Sequence, residues 1–428
     1  MGRGCDGTPF LAVRGSLDGF DMMGPKTRSV GVGLLAGAVG CALALQSALT
    51  ATAQTEKILH SFGSGTDGQT PYAHLIDVNG TLYGTTYYGG TNGDGTVFSF
   101  DLATHAETTL YSFCGRQYCA DGANPNASLI DVNGMLYGTT YNGGVNDYGT
   151  VFALNPSTGA ETVLYSFCSQ QNCTDGENPE VSLIEMKDKL YGTTPHGGTN
   201  GYGTVFAIDP TTGTETVLYS FCSAKNCADG YDPGSSLIHV NGILYGTTEA
   251  GGTANGGTVY TFDPRTRVET VLYSFCQQQY CADGGEPIGN VINVGSTLYG
   301  TTFTGGAHNS GELYSLNLTT GAEQVVYSFC SQGGGDCTDG DKPNASVVNV
   351  RGTLYGTTFG GGDGDGTVFA FDPITGTETV LYSFCAQSNC TDGASPWASV
   401  IRSKGGLYGT TAGGGAHNDG TMFVIRRF

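Results

Sequence analysis

The chain has 428 residues, with 38 Asp and Glu against 17 Lys and Arg, a formal net charge of −21 at pH 7. A surface of that sign repels nucleic-acid phosphates and anionic lipid headgroups, so nucleic acid is excluded as an expected partner. Glycine (71) and proline (14) are frequent, but together stay below the level of a disordered low-complexity chain. With 24 Tyr and 20 Phe available for a core, the glycines read as turns.

Residues 1–53 stand apart from the rest. Lys26 and Arg28 precede an uncharged stretch from Ser29 to Thr55, which contains VGVGLLAGAVGCALAL and the small-residue triplet Ala51-Thr52-Ala53. A basic start, an apolar middle and an Ala-x-Ala site are the three parts of a secretory signal peptide. The reading is therefore a leader over 1–53 and a folded domain over 54–428. The residues ahead of Met22 and Met23 fit neither pattern, which points to one of these methionines as the start. An uncleaved membrane anchor, since the stretch approaches spanning length, and lipid attachment at Cys41 are the competing readings.

From Glu56 onward one phrase keeps returning. Leu-Tyr-Gly-Thr-Thr begins at Leu82, Leu136, Leu190, Leu244, Leu298, Leu354 and Leu407, at intervals of 54, 54, 54, 54, 56 and 53. The unit from Pro125 to Cys168 shows what is repeated. ASLIDV is an apolar run ending at Asn133-Gly134, the strongest short hairpin signal because both residues tolerate positive φ. MLYGTTY returns as a second strand, and a Gly- and Asn-rich loop leads to GTVFAL, a third. NPSTG, which recurs as DPTTG and DPITG, forms a compact turn before ETVLYSF, the fourth. No segment has a helical period.

The cysteines keep step with this period. Cys5 and Cys41 lie in the leader; the other twelve form local pairs, Cys114 with Cys119, Cys168 with Cys173, Cys222 with Cys227, Cys276 with Cys281, Cys330 with Cys337 and Cys385 with Cys390. The first unit, HSFGSGTDG, lacks both members. Behind a signal peptide an even, locally paired set reads as six disulfides. Zinc is the alternative, but each loop offers only two thiols where zinc takes four ligands.

Four-stranded antiparallel units of this length, repeated seven times, predict an all-β fold, a seven-bladed β-propeller. The array opens with EKILHSF, a fourth strand with nothing before it, and closes with GTMFVIRRF, a third strand with nothing after it. The N-terminal strand is thus expected to complete the last blade and close the ring, removing an exposed edge. The phrase LYGTT-x-x-GG…GTVF-x-x-DP-x-TG-x-ET-x-LYSF over residues 56–428 resembles the Gloeobacter/Verrucomicrobia tandem repeat of bacterial surface proteins. That resemblance implies secretion and variable C-terminal anchors, and it implies no particular activity.

In such blades the loop between strands two and three shares a face with the cysteine loop. The most uneven positions there follow each Gly-Thr-Thr: Tyr87, Tyr141, Pro195, Glu249, Phe303, Phe359 and Ala412, then a second series that includes His196. Tyr87, Tyr141, His196, Glu249, Phe303 and Phe359 are the candidate ligand residues, aromatic faces beside polar groups suited to a sugar or peptide. The competing reading is that the aromatics fill gaps between blades. The Asp of each Asp-Gly pair (Asp67 through Asp392) supplies too few oxygens for calcium and reads as a turn residue. The seven histidines fall at differing places, and no acid/base set is visible. No catalytic residue, metal or cofactor is assigned. The function expected is a monomeric, secreted or surface-located binding module for an extracellular glycan or protein, with no membrane insertion of the mature chain. A secreted carbohydrate-active enzyme and a purely structural envelope protein are the alternatives. N-terminal sequencing of the exported protein is expected to start at Gln54; a retained or lipid-modified N-terminus would select one of the rival readings of the leader.

Overall fold

The computed structural model describes residues 55–362 and 364–426, and the expected leader lies outside them. Seven four-stranded antiparallel sheets make a seven-bladed propeller, with one additional two-stranded ribbon. In blade two the strands are Ile130–Val132, Met135–Thr140, Thr150–Asn155 and Ala160–Ser166, running outward in that order. The first hairpin turns at Asn133 (φ 55°) and Gly134 (φ 84°), the double positive φ that an Asn-Gly pair accepts. The second is capped by Asn155, whose side chain accepts from the N–H groups of Ser157 (2.9 Å) and Thr158 (3.2 Å). A bulge between Val151 and Phe152 adds twist to the outer strand and recurs in the other blades.

Closure occurs as expected: Thr55–Ser61 pairs antiparallel with Thr421–Arg426 and becomes the outer strand of blade seven.

The six cysteine pairs are disulfides: Cys114 to Cys119, Cys168 to Cys173, Cys222 to Cys227, Cys276 to Cys281, Cys330 to Cys337 and Cys385 to Cys390. Each of their loops contains a short 3-10 turn. Cys227 ends Lys225–Cys227 and Cys281 ends Gln279–Cys281, whereas Cys337 directly follows Gly334–Asp336 in the longer loop. A single turn needs no helical period, so the sequence pattern carries no trace of it. The second cysteine of each bridge has a further task that pairing alone did not reveal. Cys227, Cys281 and Cys337 sit in the left-handed region (φ 51°, 53° and 47°), which aims their carbonyls at the adjacent glycine loop. The Cys227 carbonyl accepts from Gly230 and Gly252 N–H, both at 2.9 Å. That of Cys281 accepts from Gly284 and Gly306 (both 2.9 Å), and that of Cys337 from Gly340 (2.8 Å) and Gly362 (2.9 Å). A carboxylate lies near three other bridges, as Asp94 does beside Cys114 and Cys119, but among the described residues Cys227, Cys281 and Cys337 belong to no such group. Sulfurs bonded to each other are in any case not thiolate ligands.

Each letter of LYGTT has a place. The Leu is buried, with Leu82, Leu190 and Leu298 at 0% exposure. The Gly is a hole: a Cβ on Gly138 would lie 2.7 Å from Cζ of Phe152, the ring of the neighbouring strand that crosses over it. Onto that ring packs the Phe of the preceding blade's YSF strand, edge to face. The centroid distances run from Phe62–Phe98 at 5.1 Å through Phe113–Phe152 and Phe167–Phe206, both 5.1 Å, to Phe384–Phe423 at 4.9 Å. The first Thr reaches a carbonyl of the next blade, as Thr85 does to Ala127 (3.0 Å) and Thr357 to Ala398 (3.0 Å). The second pairs with a Thr of strand three, as Thr86 does with Thr96 at 2.8 Å.

Because the first Thr holds the neighbouring chain just ahead of its inner strand, that strand is shorter than ASLIDV implied. Only Ile130–Val132 is paired; Asn126–Ser128 turns instead toward the ring centre.

Around the perimeter a polar network joins the blades. Tyr111 donates to Asp121 (2.7 Å), and the same carboxylate accepts from the N–H groups of Gly115 (2.9 Å) and Arg116 (3.1 Å). The Asp of Asp-Gly is therefore a buried cap for the disulfide loop, in line with its reading as a turn residue. Glu161, from the next blade, brings Oε2 to 3.4 Å from the Tyr111 hydroxyl. Glu56, Glu107, Glu161, Glu215, Glu269, Glu323 and Glu378 occupy this place in the seven blades, and each has one buried carboxyl oxygen without a hydrogen-bond partner. Burial, then the facing Asp, pushes Glu107 up to about 7 and Glu215 up to about 8. Blade five adds Glu312 where the others carry the second Thr partner. It is fully buried and pushed up to about 9 by burial, Glu323 and Asp283.

These carboxyls hold their protons more tightly folded than unfolded. Their contribution is fully present below the unfolded value near 4.5 and is lost as pH rises through 7 to 9. The melting temperature should therefore fall between pH 5 and pH 9. Glu312→Thr, which restores the hydroxyl pair of the other blades, should raise stability at pH 8 by on the order of 1–3 kcal/mol and much less at pH 5. Blades four and five also carry Tyr260 and Tyr314 in place of the core Phe, and both hydroxyls are buried without partners. Tyr260→Phe and Tyr314→Phe should each stabilise by about 1 kcal/mol in chemical denaturation, because an unsatisfied hydroxyl is removed at constant shape.

Candidate functional site

The chain enters each blade through a segment of the form x-Pro-x. Its Pro packs on the positive-φ glycine that opens strand three of the preceding blade. A Cβ on Gly149 (φ 92°) would sit 2.8 Å from Cδ of Pro179, and one on Gly95 2.6 Å from Cδ of Pro125. The residue before Pro is clamped on both sides. Asp232 donates its N–H to the Tyr202 carbonyl (3.2 Å), and its own carbonyl accepts from Glu249 N–H (2.8 Å). Phe303 N–H and the Glu286 carbonyl repeat the second bond at 2.9 Å, as do Tyr87 and Thr70 at 3.1 Å. This ladder puts the residue after Gly-Thr-Thr beside the x-Pro-x segment, on one face, as the strand order required.

Seven such segments surround a cavity of ≈ 400 Å³ at the ring centre. Of the six residues singled out from sequence, Glu249 and Phe303 line it. Tyr87 and Phe359 back two lining residues that the sequence reading missed. Tyr87 meets Tyr72 at 5.5 Å, Phe359 meets Trp397 at 5.2 Å, and Tyr72 and Trp397 meet each other at 5.6 Å. Tyr88 extends this aromatic arc, 4.7 Å from Tyr87. Tyr141 and His196 do not line the cavity. The disulfide cysteines, Cys227, Cys281 and Cys337 included, do not line it either, so the bridges brace the loops outside the site and take no part in it. The residue after Pro runs Tyr72, Asn126, Glu180, Gly234, Ile288, Asn344, Trp397, as uneven as the series that was chosen. That unevenness was a usable signal.

Opposite the arc lies a cluster of acids. Asn124 and Asn178, ahead of Pro in blades two and three, donate their amides to the Tyr87 carbonyl (3.0 Å) and the Tyr141 carbonyl (2.9 Å). Blades four and five place Asp232 and Glu286 there, carboxyl groups in place of an amide. Both keep the left-handed backbone (φ 59° and 55°), uncommon for Glu. A Cβ on Gly234 would lie 3.7 Å from Glu180 Oε1 and 4.0 Å from Glu249 Oε2, so both carboxyls border one small gap. Burial, followed by Asp232 and Glu249, pushes Glu180 up to about 7. Glu249 is raised by burial, Asp232 and Glu286, with His196 opposing. Lys342 places its Nζ over the Phe303 ring, 5.8 Å from the ring centre.

Lower in the channel the wall is small and polar. Ser236 accepts from Ser182 N–H (2.9 Å), and Asn290 accepts from Ser236 N–H (2.7 Å). His74 is pushed down to about 4 by burial. Asn344 is 6% exposed, and neither its amide nitrogen nor its oxygen has a hydrogen-bond partner. Aromatic faces, carboxyls and amide groups thus converge on one cavity, an arrangement that can stack on, hydrogen-bond and neutralise a polar ligand.

Several solved structures share the fold. An oligogalacturonate lyase in complex with manganese is 14% identical, with 87% of this chain and 96% of that one covered and a TM-score of 0.50. An oligogalacturonate lyase from Vibrio parahaemolyticus is 10% identical, with coverage of 87% and 97% and a TM-score of 0.51. A chain of a nidogen/laminin complex is a weaker match that says nothing of the fold, 14% identical over 64% of this chain and 90% of that one, with a TM-score of 0.40. No curated protein matches the chain, and no helix among the described residues is long and apolar enough to cross a membrane. The family model of the Gloeobacter/Verrucomicrobia repeat matches residues 45–255, 224–337 and 336–427. With nearly every repeat so matched, the chain belongs to the Gloeobacter/Verrucomicrobia repeat family.

Proposed function

We propose that this protein is an exported binding module that takes an extracellular glycan at the mouth of its central channel, and that it is not an enzyme. One observation carries the reading: an aromatic pair, Tyr72 and Trp397, backed by Tyr87 and Phe359, shares one cavity with the carboxyls of Glu180, Glu249 and Glu286, on a scaffold that is otherwise a sevenfold repeat. Aromatic faces pair with the apolar faces of sugar rings while amide and carboxyl groups take their hydroxyls. Export is supported by six disulfides, bonds that persist in oxidising compartments.

The lyases that share the fold are named for oligogalacturonate, a polyanion. Glu180, Asp232, Glu249 and Glu286 speak against such a ligand here, because like charge in a cavity raises the cost of binding. A second reading, a hydrolase of uncharged or basic glycans, is favoured by the Glu180–Glu249 pair. A carboxyl pushed up to about 7 beside a second one is the general-acid arrangement. Incubation with a polysaccharide panel separates the two. Under the binding reading, a glycan array shows retention without product, and Tyr72→Ala with Trp397→Ala weakens it by about tenfold or more. Release of shortened or unsaturated oligosaccharides would establish an enzyme instead.

A further inference from the structure

The four carboxyls of the mouth come from consecutive blades, and among the described residues none of them is in an ion pair; such pairs form elsewhere, at His60–Asp67, Arg116–Glu161 and Arg265–Asp263. Glu286 occupies a left-handed position that asparagine fills in blades two and three. Its presence there follows from no need of the turn, which Asn serves better. Gly234 keeps open the gap that Glu180 and Glu249 border, although its own φ places no demand for glycine.

An independent observation comes from across the cavity. Asn344 is more than nine-tenths buried, lines the same space, and leaves both ends of its amide without a partner. Buried amides are normally satisfied, so this one lacks a group that can both donate and accept. Ser128, Ser346 and Ser399 line the same cavity and favour a hydroxyl-rich ligand over a peptide.

Resting on the channel mouth being a glycan site, we propose that it selects a saccharide bearing protonated amino groups, a glucosamine-type oligomer, over N-acetylated or uronic-acid glycans. Ring faces lie against Tyr72 and Trp397, hydroxyls reach Asn344, and an ammonium enters the gap at Gly234 between Glu180 and Glu249. Without a cation, burial and mutual repulsion raise the cost of ionising these acids. An ammonium lets them ionise, and each charge-assisted hydrogen bond it makes is stronger than a neutral one. N-acetylation removes the charge and adds bulk at the same point, so the two sugars are sharply distinguished.

Calorimetry on the exported domain with a glucosamine hexamer, an N-acetylglucosamine hexamer, an oligogalacturonate and a trilysine peptide tests this. The glucosamine hexamer should bind at least about tenfold tighter than the other three. Glu180→Gln and Glu249→Gln should each weaken it about tenfold, and Gly234→Leu should weaken it without removing a charge. Unchanged melting temperatures identify variants that remain folded. Equal affinity for the N-acetylated hexamer, tight binding of trilysine, or indifference to both Gln variants overturns the proposal. If a neutral glycan binds and Trp397→Ala abolishes it, the glycan-site reading stands and the selectivity for amines falls. If no glycan binds, both fall.

Discussion

The structure depends on a ring lying over a glycine. In every blade an aromatic side chain of strand three crosses the Gly of Leu-Tyr-Gly-Thr-Thr, and the YSF phenylalanine of the preceding blade meets it edge to face. Full burial of such a ring contributes about 2 kcal/mol, and the edge-to-face pair adds about 1 kcal/mol. A methyl group on the glycine would lie well inside contact distance of the ring, so the position admits no side chain. Seven equal contacts then fix the angle between neighbours, and equal angles are what allow a ring to close rather than spiral. The N-terminal strand completes the same contact: Phe62 packs on Phe98, so the seam between Thr55–Ser61 and Thr421–Arg426 differs from the other junctions only in its chain connection.

The perimeter follows a different logic. Each Tyr–Asp pair is well satisfied, but the Glu that joins it from the next blade has a buried oxygen without a partner. Such a group costs stability whenever it ionises, and the cost recurs around the ring. Where a cation is present, as Arg116 is at 2.8 Å from Glu161, the carboxyl is still raised to about 7, because burial outweighs the pairing. The aromatic core therefore carries the fold, and the acidic belt makes its stability depend on pH.

Most of this fold was legible because repetition multiplies weak local signals. One Asn-Gly turn or one YSF strand says little, whereas seven in step set blade number, strand order and closure. The cysteine pairing was legible for the same reason, but the carbonyl contacts of Cys227, Cys281 and Cys337 were not, since they belong to the backbone and leave no mark on residue choice. The inner strand was overestimated at ASLIDV, since pairing with the chain's own hairpin and capture by Thr85 or Thr139 of the neighbouring blade look alike in a single repeat. The site was less legible. Glu249 and Phe303 were found by their place after Gly-Thr-Thr, and Tyr87 and Phe359 stand one layer back. Tyr72, Glu180, Asn344 and Trp397 were missed because the residue after Pro fell in the connection between one unit and the next, ahead of the first apolar run. Only the way Pro seats on the previous blade's glycine shows that it faces the channel.

A sevenfold ring presents a difficulty for recognition: identical blades offer a ligand seven equivalent poses and no unique one. This chain breaks the symmetry only where breaking it leaves the blade contacts untouched. The core Phe, the glycine beneath it and the Pro seat scarcely vary from repeat to repeat, whereas the residues flanking that Pro run from Tyr and Trp through Asn to Glu and Asp. Their backbones are held by the same ladder of N–H to carbonyl bonds in each blade, so side-chain chemistry changes without moving the scaffold. Aromatic character gathers in blades six, seven and one, and acidity in blades three to five, where Phe303 also lines the cavity, giving the channel mouth two unlike sides. A ligand that is apolar on one face and cationic at one edge has a single orientation there, and that polarity is what a ring built from repeats must acquire to recognise anything specifically.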